Sequence, residues 1–189
     1  MELLLGCGHD RTRRIRPPGA PAGWVDLVTA DINPAVNPDL VVDLDTLKWR
    51  HAFATFEPFD EVHAYEVLEH IGQQGDVVGF FSTFYNIWSV LKPGGVLCAT
   101  TPSRYSPWLW GDPGHRRVIL PESLTFLVRS NYQQLGRTAM SDYRDSWHGD
   151  FDIVDSKDDK VTHRFCLAAV KPVRPYPARP AATPVPTRM

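Results

Sequence analysis

Apolar residues fall into short uninterrupted runs, each closed by an acid, a glycine or a proline. Leu3-Leu4-Leu5 runs straight into Gly6-Cys7-Gly8, Leu27-Val28-Thr29-Ala30 ends at Asp31, and Leu40-Val41-Val42 ends at Asp43. Phe59 to Tyr65 and Val96 to Thr101 repeat the theme. Runs of this kind read as parallel strands buried on both faces. They predict strands near 2–5, 27–31, 40–43, 60–65 and 96–101. Between the last two lies the clearest helix, 76–91. Asp76 is its N-cap, and Val77, Phe80, Phe81, Phe84, Ile87, Trp88 and Leu91 keep a 3.6-residue period. Lys92-Pro93-Gly94-Gly95 stops it. Its other face, with Gly79, Ser82, Thr83, Asn86 and Val90, carries no charge. Such a face calls for a cover, another element of the chain or a second copy in a homodimer through 76–91.

Further on, Pro121-Glu122 opens a second helix to about Gln134, stopped by Gly136. Phe151 to Asp155 and His163 to Val170 alternate as antiparallel strands, with 156–160 as their turn. Strands separated by helical or irregular stretches predict an α/β fold: a Rossmann-like, mostly parallel, doubly wound sheet with an antiparallel final strand. From 172 to 189 six prolines interrupt the chain and no apolar period survives, so this tail reads as disordered.

Composition narrows the class. The chain has 189 residues, 43% hydrophobic and 22% charged, enough for one domain with a sizeable core. A formal net charge of −2 advertises neither nucleic acid nor an anionic membrane surface. No run is long enough to span a membrane or to form a signal-peptide core. The three cysteines, Cys7, Cys98 and Cys166, are dispersed in apolar segments. That pattern fits reduced thiols in the cytoplasm rather than a disulfide framework.

Candidate chemistry gathers at the strand ends. Gly6 and Gly8 permit a tight turn that lets backbone approach a ligand, and Asp31 lies 23 residues beyond Gly8. This is near the spacing at which a carboxylate meets ribose hydroxyls in dinucleotide sites. A nicotinamide site would require a third glycine at position 11, which is Arg11. The cluster Arg11, Arg13, Arg14 and Arg16 offers charge for a phosphate or for a solvated loop.

Leu5-Gly6-Cys7-Gly8, Asp31, Asp43, Tyr65-Glu66-Val67-Leu68-Glu69-His70 and Leu91-Lys92-Pro93-Gly94-Gly95 occur in one order. Together they resemble the class I S-adenosylmethionine-dependent methyltransferases, above all small bacterial and phage-encoded members. The resemblance covers residues 2 to about 171. It implies a methyltransferase domain over 1–171, with 103–148 as a substrate-facing insertion, and S-adenosylmethionine as cofactor. It also implies that Leu5 adjoins the cofactor, that Gly6, Cys7 and Gly8 hold its methionine part, that Asp31 binds the ribose with Ile32 against the adenine, and that Asp43 accepts from the adenine amine beside Leu44. Tyr65 and Glu66 would line the mouth at the sulfonium. The chain departs from the pattern at Leu4, where an acid is usual, and at His9, which precedes Asp10 where a third glycine is usual. Asp10 offers a replacement carboxylate for the cofactor's ammonium group. The same features would also suit a non-catalytic S-adenosylmethionine-binding partner subunit.

The acceptor side is expected in 103–120, after the fifth strand. Asp112-Pro113-Gly114-His115 puts an acid and a base in one turn, and His70 is a further base. Trp108 and Trp110 could stack on a planar acceptor or cap the core. Asp112, His115, Glu69 and His70 lack local metal-ligand spacing, so no metal is expected. The acceptor is not specified: small molecule, sugar, protein and nucleic acid all fit.

Overall fold

The computed structural model describes residues 1–45, 49–56 and 58–178. Seven strands form one sheet: β1 (Glu2–Leu5), β2 (Leu27–Asp31), β3 (Leu40–Val41), β4 (Phe59–Tyr65), β5 (Leu91–Pro102), β6 (Phe151–Asp158) and β7 (Thr162–Ala169). Their order is β3-β2-β1-β4-β5-β7-β6. β1 to β5 pair in parallel, and β7 runs antiparallel to both β5 and β6. The carboxyl ends of β1, β2, β3 and β4 therefore share one rim, which is where an open α/β sheet binds ligands.

Alternation across the pleat sends Leu3, Leu5, Val28, Ala30, Val62 and Ala64 to one face. There they meet helix α1 (Trp49–Ala52), helix α2 (Val77–Val90) and the chain around Leu124, Leu127 and Trp147. Full burial of a side chain such as Phe84 or Ile87 contributes about 1.5–3 kcal/mol. Helix α2 begins as expected, with the Asp76 carboxylate accepting from Gly79 N–H at 2.9 Å. Much of its uncharged face is covered within the chain. Thr83, Asn86 and Val90 are all buried, and α1 packs on the helix within the chain.

The opposite face is covered differently. Leu4, Tyr65, Cys98 and Cys166 pack against Ile15 and Trp24 from the loop 9–26, which has no regular secondary structure. Pro17, Pro18 and Pro21 prevent a helix there. Arg13 seals this loop to the sheet. Its guanidinium pairs with Glu2 at 3.0 Å and with Glu61, and its side chain is 4% exposed. Glu61 in turn accepts from His63 Nε2 at 2.8 Å, and His63 Nδ1 accepts from the Tyr65 hydroxyl at 2.6 Å. Arg11 donates to Val36 O and Asn37 O. Two of the four arginines thus serve structure, not phosphate.

Several elements differ from expectation. The helix expected over 121–134 is broken into α4 (Pro121–Leu124) and two 3-10 turns, Thr125–Leu127 and Arg129–Gln134. Val128 is extended at the break (φ −104°, ψ 108°), and Arg129 N–H bonds the buried Asp150 carboxylate instead of a helical carbonyl. β6 runs on through Ser156, Lys157 and Asp158, so the turn is confined to 159–161, where Asp159 accepts from Val161 and Thr162 N–H. Residues 172–178 are not a free tail. Arg174 pairs with Asp150 and Asp152, and the Tyr176 hydroxyl donates to Trp147 O at 2.6 Å. Asp142 and Arg144 pair with each other, and Arg144 also holds Pro177 O. The rest of the stretch expected as tail, 179–189, lies outside the described residues. Among the described residues no helix is long and apolar enough to cross a membrane.

Candidate active site

The turn after β1 opens a cleft of about 300 Å³ between the ends of β1, β2, β3 and β4. Gly6 is held at φ +56°, and a Cβ there would lie 2.2 Å from Val67 Cγ2, so only glycine fits. Gly8 also has positive φ (+50°), but a Cβ there would meet nothing within 4 Å. It faces open space. Gly8 N–H donates to Asp31 Oδ2, and Asn33 N–H donates to Asp31 Oδ1, both at 2.9 Å. The carboxylate is thereby fixed at the rim while each oxygen keeps a lone pair for a ligand. Ile32, 65% exposed, stands beside it. Asp43 and Leu44 form the next stretch of wall.

Glu66 follows β4 in the left-handed region at φ +56°, its N–H held by Thr100 O at 2.9 Å. A non-glycine residue there costs on the order of 1–3 kcal/mol and marks a place where geometry is over-determined. At the far end of the cleft stand His70 and Arg116. Arg116 pairs with Asp45, whose other oxygen accepts from Gly72 N–H at 2.7 Å.

The loop carrying Asp112 and His115 is pinned against the 3-10 turn Leu68–His70. Arg116 and Arg117 N–H both donate to Glu69 O, at 2.8 and 3.1 Å, and Gln74 N–H donates to Arg116 O at 2.8 Å. His115 Nε2 then sits 3.9 Å from Glu69 Oε1 and 3.9 Å from Asp112 Oδ2. The His70 and His115 rings meet edge to face, centroids 4.7 Å apart, and His70 Nδ1 bonds Gly114 O at 3.0 Å. Burial pushes the Glu69 carboxyl up to about 8, and the neighbouring charges of Glu66 and Asp112 add to the rise.

Gly6, Asp31, Ile32, Asp43, Leu44, Glu66 and His70 are therefore on the cleft wall, and Gly8 buttresses it through Asp31. Asp112 and His115 join it through His70. Other expected residues are placed elsewhere. The Leu5 and Cys7 side chains are buried on opposite faces of the sheet. Tyr65 turns away from the mouth. Its hydroxyl accepts from Arg14 and Ile15 N–H, and burial pushes its pKa up to about 12. The reason is the pleat: Tyr65 and Glu66 cannot both face the cleft while β4 continues to Tyr65. Asp10 accepts from Thr12 N–H and Arg14 in the exposed loop, not from a group in the cleft. Glu69 and Arg116 join the cleft although the sequence assigned neither of them a cofactor or acceptor role. Their signal was weak: an acid inside the apolar Val67-Leu68 turn, and an arginine beside His115. Trp108 and Trp110 are exposed, at 64% and 65%, on helix α3 (Trp108–Gly111) next to Asp112, and so do not cap the core.

No protein-family model matches the chain, and no curated protein matches its sequence. Solved structures do match. The N-methyltransferase NodS from Bradyrhizobium japonicum WM9 superposes with TM-score 0.53 at 15% identity, over 90% of this chain and 85% of that one. An S-adenosylmethionine-dependent methyltransferase from Clostridium acetobutylicum gives TM-score 0.54 at 11% identity, over 89% and 83%. The [4+2]-cyclase SpnF gives 0.52 at 15%, over 89% and 74%. The fold is that of the class I S-adenosylmethionine-dependent methyltransferases.

Proposed function

We propose that this protein transfers a methyl group from S-adenosylmethionine to an acceptor bound at the Glu69–His115 end of the cleft. The observation that carries this reading is the Asp31 carboxylate, oriented by Gly8 and Asn33 N–H at the rim of a methyltransferase-type sheet. NodS, which shares the fold, has been crystallised with S-adenosylhomocysteine (TM-score 0.51, 16% identity). In this reading Asp31 receives the ribose hydroxyls, Ile32 and Leu44 enclose the adenine, and Asp43 accepts from its amine. Gly6 and Gly8 let the methionine part lie against backbone. Glu66 adjoins the sulfonium, where a carboxylate favours the cation. Asp112, His115 and His70 activate the acceptor, and the exposed Trp108 and Trp110 offer it a flat surface. Alignment of acceptor and methyl carbon is the main catalytic task.

Calorimetry with S-adenosylmethionine and S-adenosylhomocysteine tests the proposal. Binding is expected, and Asp31→Ala should weaken it by about 1.5–3 kcal/mol, the scale of a hydrogen bond to a charged group. Absence of binding by the folded wild-type protein would overturn the reading. SpnF shows that the fold also serves other chemistry, and Leu4, buried where an acid is usual, suits a binding subunit without turnover. Release of S-adenosylhomocysteine on incubation with candidate acceptors distinguishes transfer from mere binding.

A further inference from the structure

Two clusters of potential ligand side chains occur among the described residues: Glu61, His63 and Cys98, and Glu69, His70 and His115. The first is closed. Arg13 neutralises Glu61, and His63 spends both nitrogens on Glu61 and Tyr65. The second is open. Glu69 is 1% exposed, yet neither carboxylate oxygen has a hydrogen-bond partner among the described residues. His115 Nδ1 is buried and equally unpartnered. The ring nitrogen that faces Glu69 is Nε2, 3.9 Å from Oε1, and a buried carboxyl group whose neighbours are Glu66 and Asp112 is costly unless a proton or a cation is held there. Among the described residues no guanidinium or ammonium is paired with Glu69, while Glu66 and Asp112 add negative charge around it.

We propose that Glu69, His70 and His115 bind a divalent cation of the Zn²⁺ or Mn²⁺ class at the acceptor end of the cleft. One atom from each side chain already lies within 4.8 Å of the others. Metal–ligand bonds of about 2.0–2.2 Å bring neighbouring donors to roughly 3–3.5 Å, so closure needs movements of only about 1 Å. Two imidazoles and one carboxylate favour a borderline transition cation over Mg²⁺ or Ca²⁺, which prefer all-oxygen sets. The Gly114 carbonyl on His70 Nδ1 fixes the tautomer that leaves Nε2 with its lone pair, the usual support behind a metal-binding histidine. The two backbone bonds to Glu69 O hold the His115 loop in place independently of the metal.

Resting on the methyl-transfer reading, this site selects an acceptor that presents a hydroxyl. A hydroxyl on the cation loses its proton to water near neutral pH. Its oxygen then forms the bond to the methyl carbon as the carbon–sulfur bond breaks, and that electron pair stays on sulfur. With the cation bound, His115 activates the acceptor as a ligand of that cation.

The test is calorimetric titration of the untagged, chelator-treated protein with Zn²⁺ and with Mn²⁺, with Mg²⁺ as comparison. One site per chain is expected for Zn²⁺ or Mn²⁺. Glu69→Gln and His115→Gln should each weaken it at least tenfold, while His148→Ala, an exposed histidine elsewhere, should leave it unchanged. Co²⁺ should give a visible absorption band that disappears in His115→Gln. If Glu69→Gln does not fold, the His115→Gln result decides. No binding, or binding equal in both variants and wild type, overturns the proposal. Calorimetry with S-adenosylmethionine in chelator separates the two readings. Cofactor binding without cation binding removes the metal site and leaves methyl transfer standing, and cation binding without cofactor binding does the reverse.

Discussion

Arg13 is the residue whose removal should tell most about how this chain closes its sheet. Its guanidinium lies between Glu2, 3% exposed, and Glu61, 9% exposed, and also donates to Gly23 O at 2.8 Å. Arg13→Met keeps an unbranched side chain but removes the guanidinium that lies over Trp24 and pairs with two buried carboxylates. Removing one partner of a buried ion pair costs about 3–5 kcal/mol. For a domain of this size that is a fall in Tm of roughly 6–20 °C. The pH dependence follows from Glu61. Burial pushes its carboxyl up, but the His63 hydrogen bond and the Arg13 charge outweigh this and hold it below the ordinary value of 4.5. In the wild type it therefore adds stability above that pH, and the contribution is lost as pH falls through the lowered folded value. In Arg13→Met both lowering contributions of Arg13 are lost while burial and the His63 hydrogen bond remain, so the folded value rises relative to the wild type. The carboxylate then contributes less stability at neutral pH, and protonation narrows the difference. Urea denaturation at pH 5, 6 and 7 should show the deficit shrinking toward the acid end, and Glu61→Gln added to Arg13→Met should restore part of it. A deficit below about 1 kcal/mol at pH 7, or one independent of pH, would refute the picture of Arg13 as the seal.

The two glycines of the first turn should separate stability from binding. Gly6→Ala meets both positive φ and Val67 at 2.2 Å and should lower Tm markedly, whereas Gly8→Ala meets only the φ penalty, about 1–2 kcal/mol, and should chiefly weaken cofactor binding in calorimetry. Equal Tm losses would contradict the close approach of Val67. His115→Ala should lower turnover by about 10²–10⁴-fold with little change in S-adenosylmethionine affinity, once an acceptor is in hand. Normal turnover would remove it from the acceptor site. The three thiols are all buried, and Cys98 and Cys166 lie side by side with Sγ atoms 3.5 Å apart. An aromatic disulfide reagent should react slowly with the native protein and release three equivalents in denaturant, and rapid reaction of any native thiol would show that loop 9–26 does not seal that face.

Local pattern alone determined the parallel strands (β3 stops at Val41, two residues short of the expected Asp43), the helix capped by Asp76, and the glycine turn followed by Asp31. Each of these depends on neighbours in sequence: strand burial on runs of apolar residues, the cap on a side chain reaching three residues ahead, the turn on residues without Cβ. Those features were enough to locate the glycine-turn end of the cleft. At the other end the sequence named Asp112, His115 and His70 as candidates, but how they meet depends on long-range packing. Glu69 and His115 are brought together by backbone hydrogen bonds between 69 and 116–117, and nothing in either segment alone announces that pairing. The roles of Tyr65 and Arg13 were likewise settled in three dimensions. The pleat of β4 turned Tyr65 from the cleft, and the prolines that forbid a helix left the far side of the sheet to be covered by a loop. Burial of Glu2 and Glu61 beneath that loop is what made a solvated-looking arginine into an internal ion-pair partner.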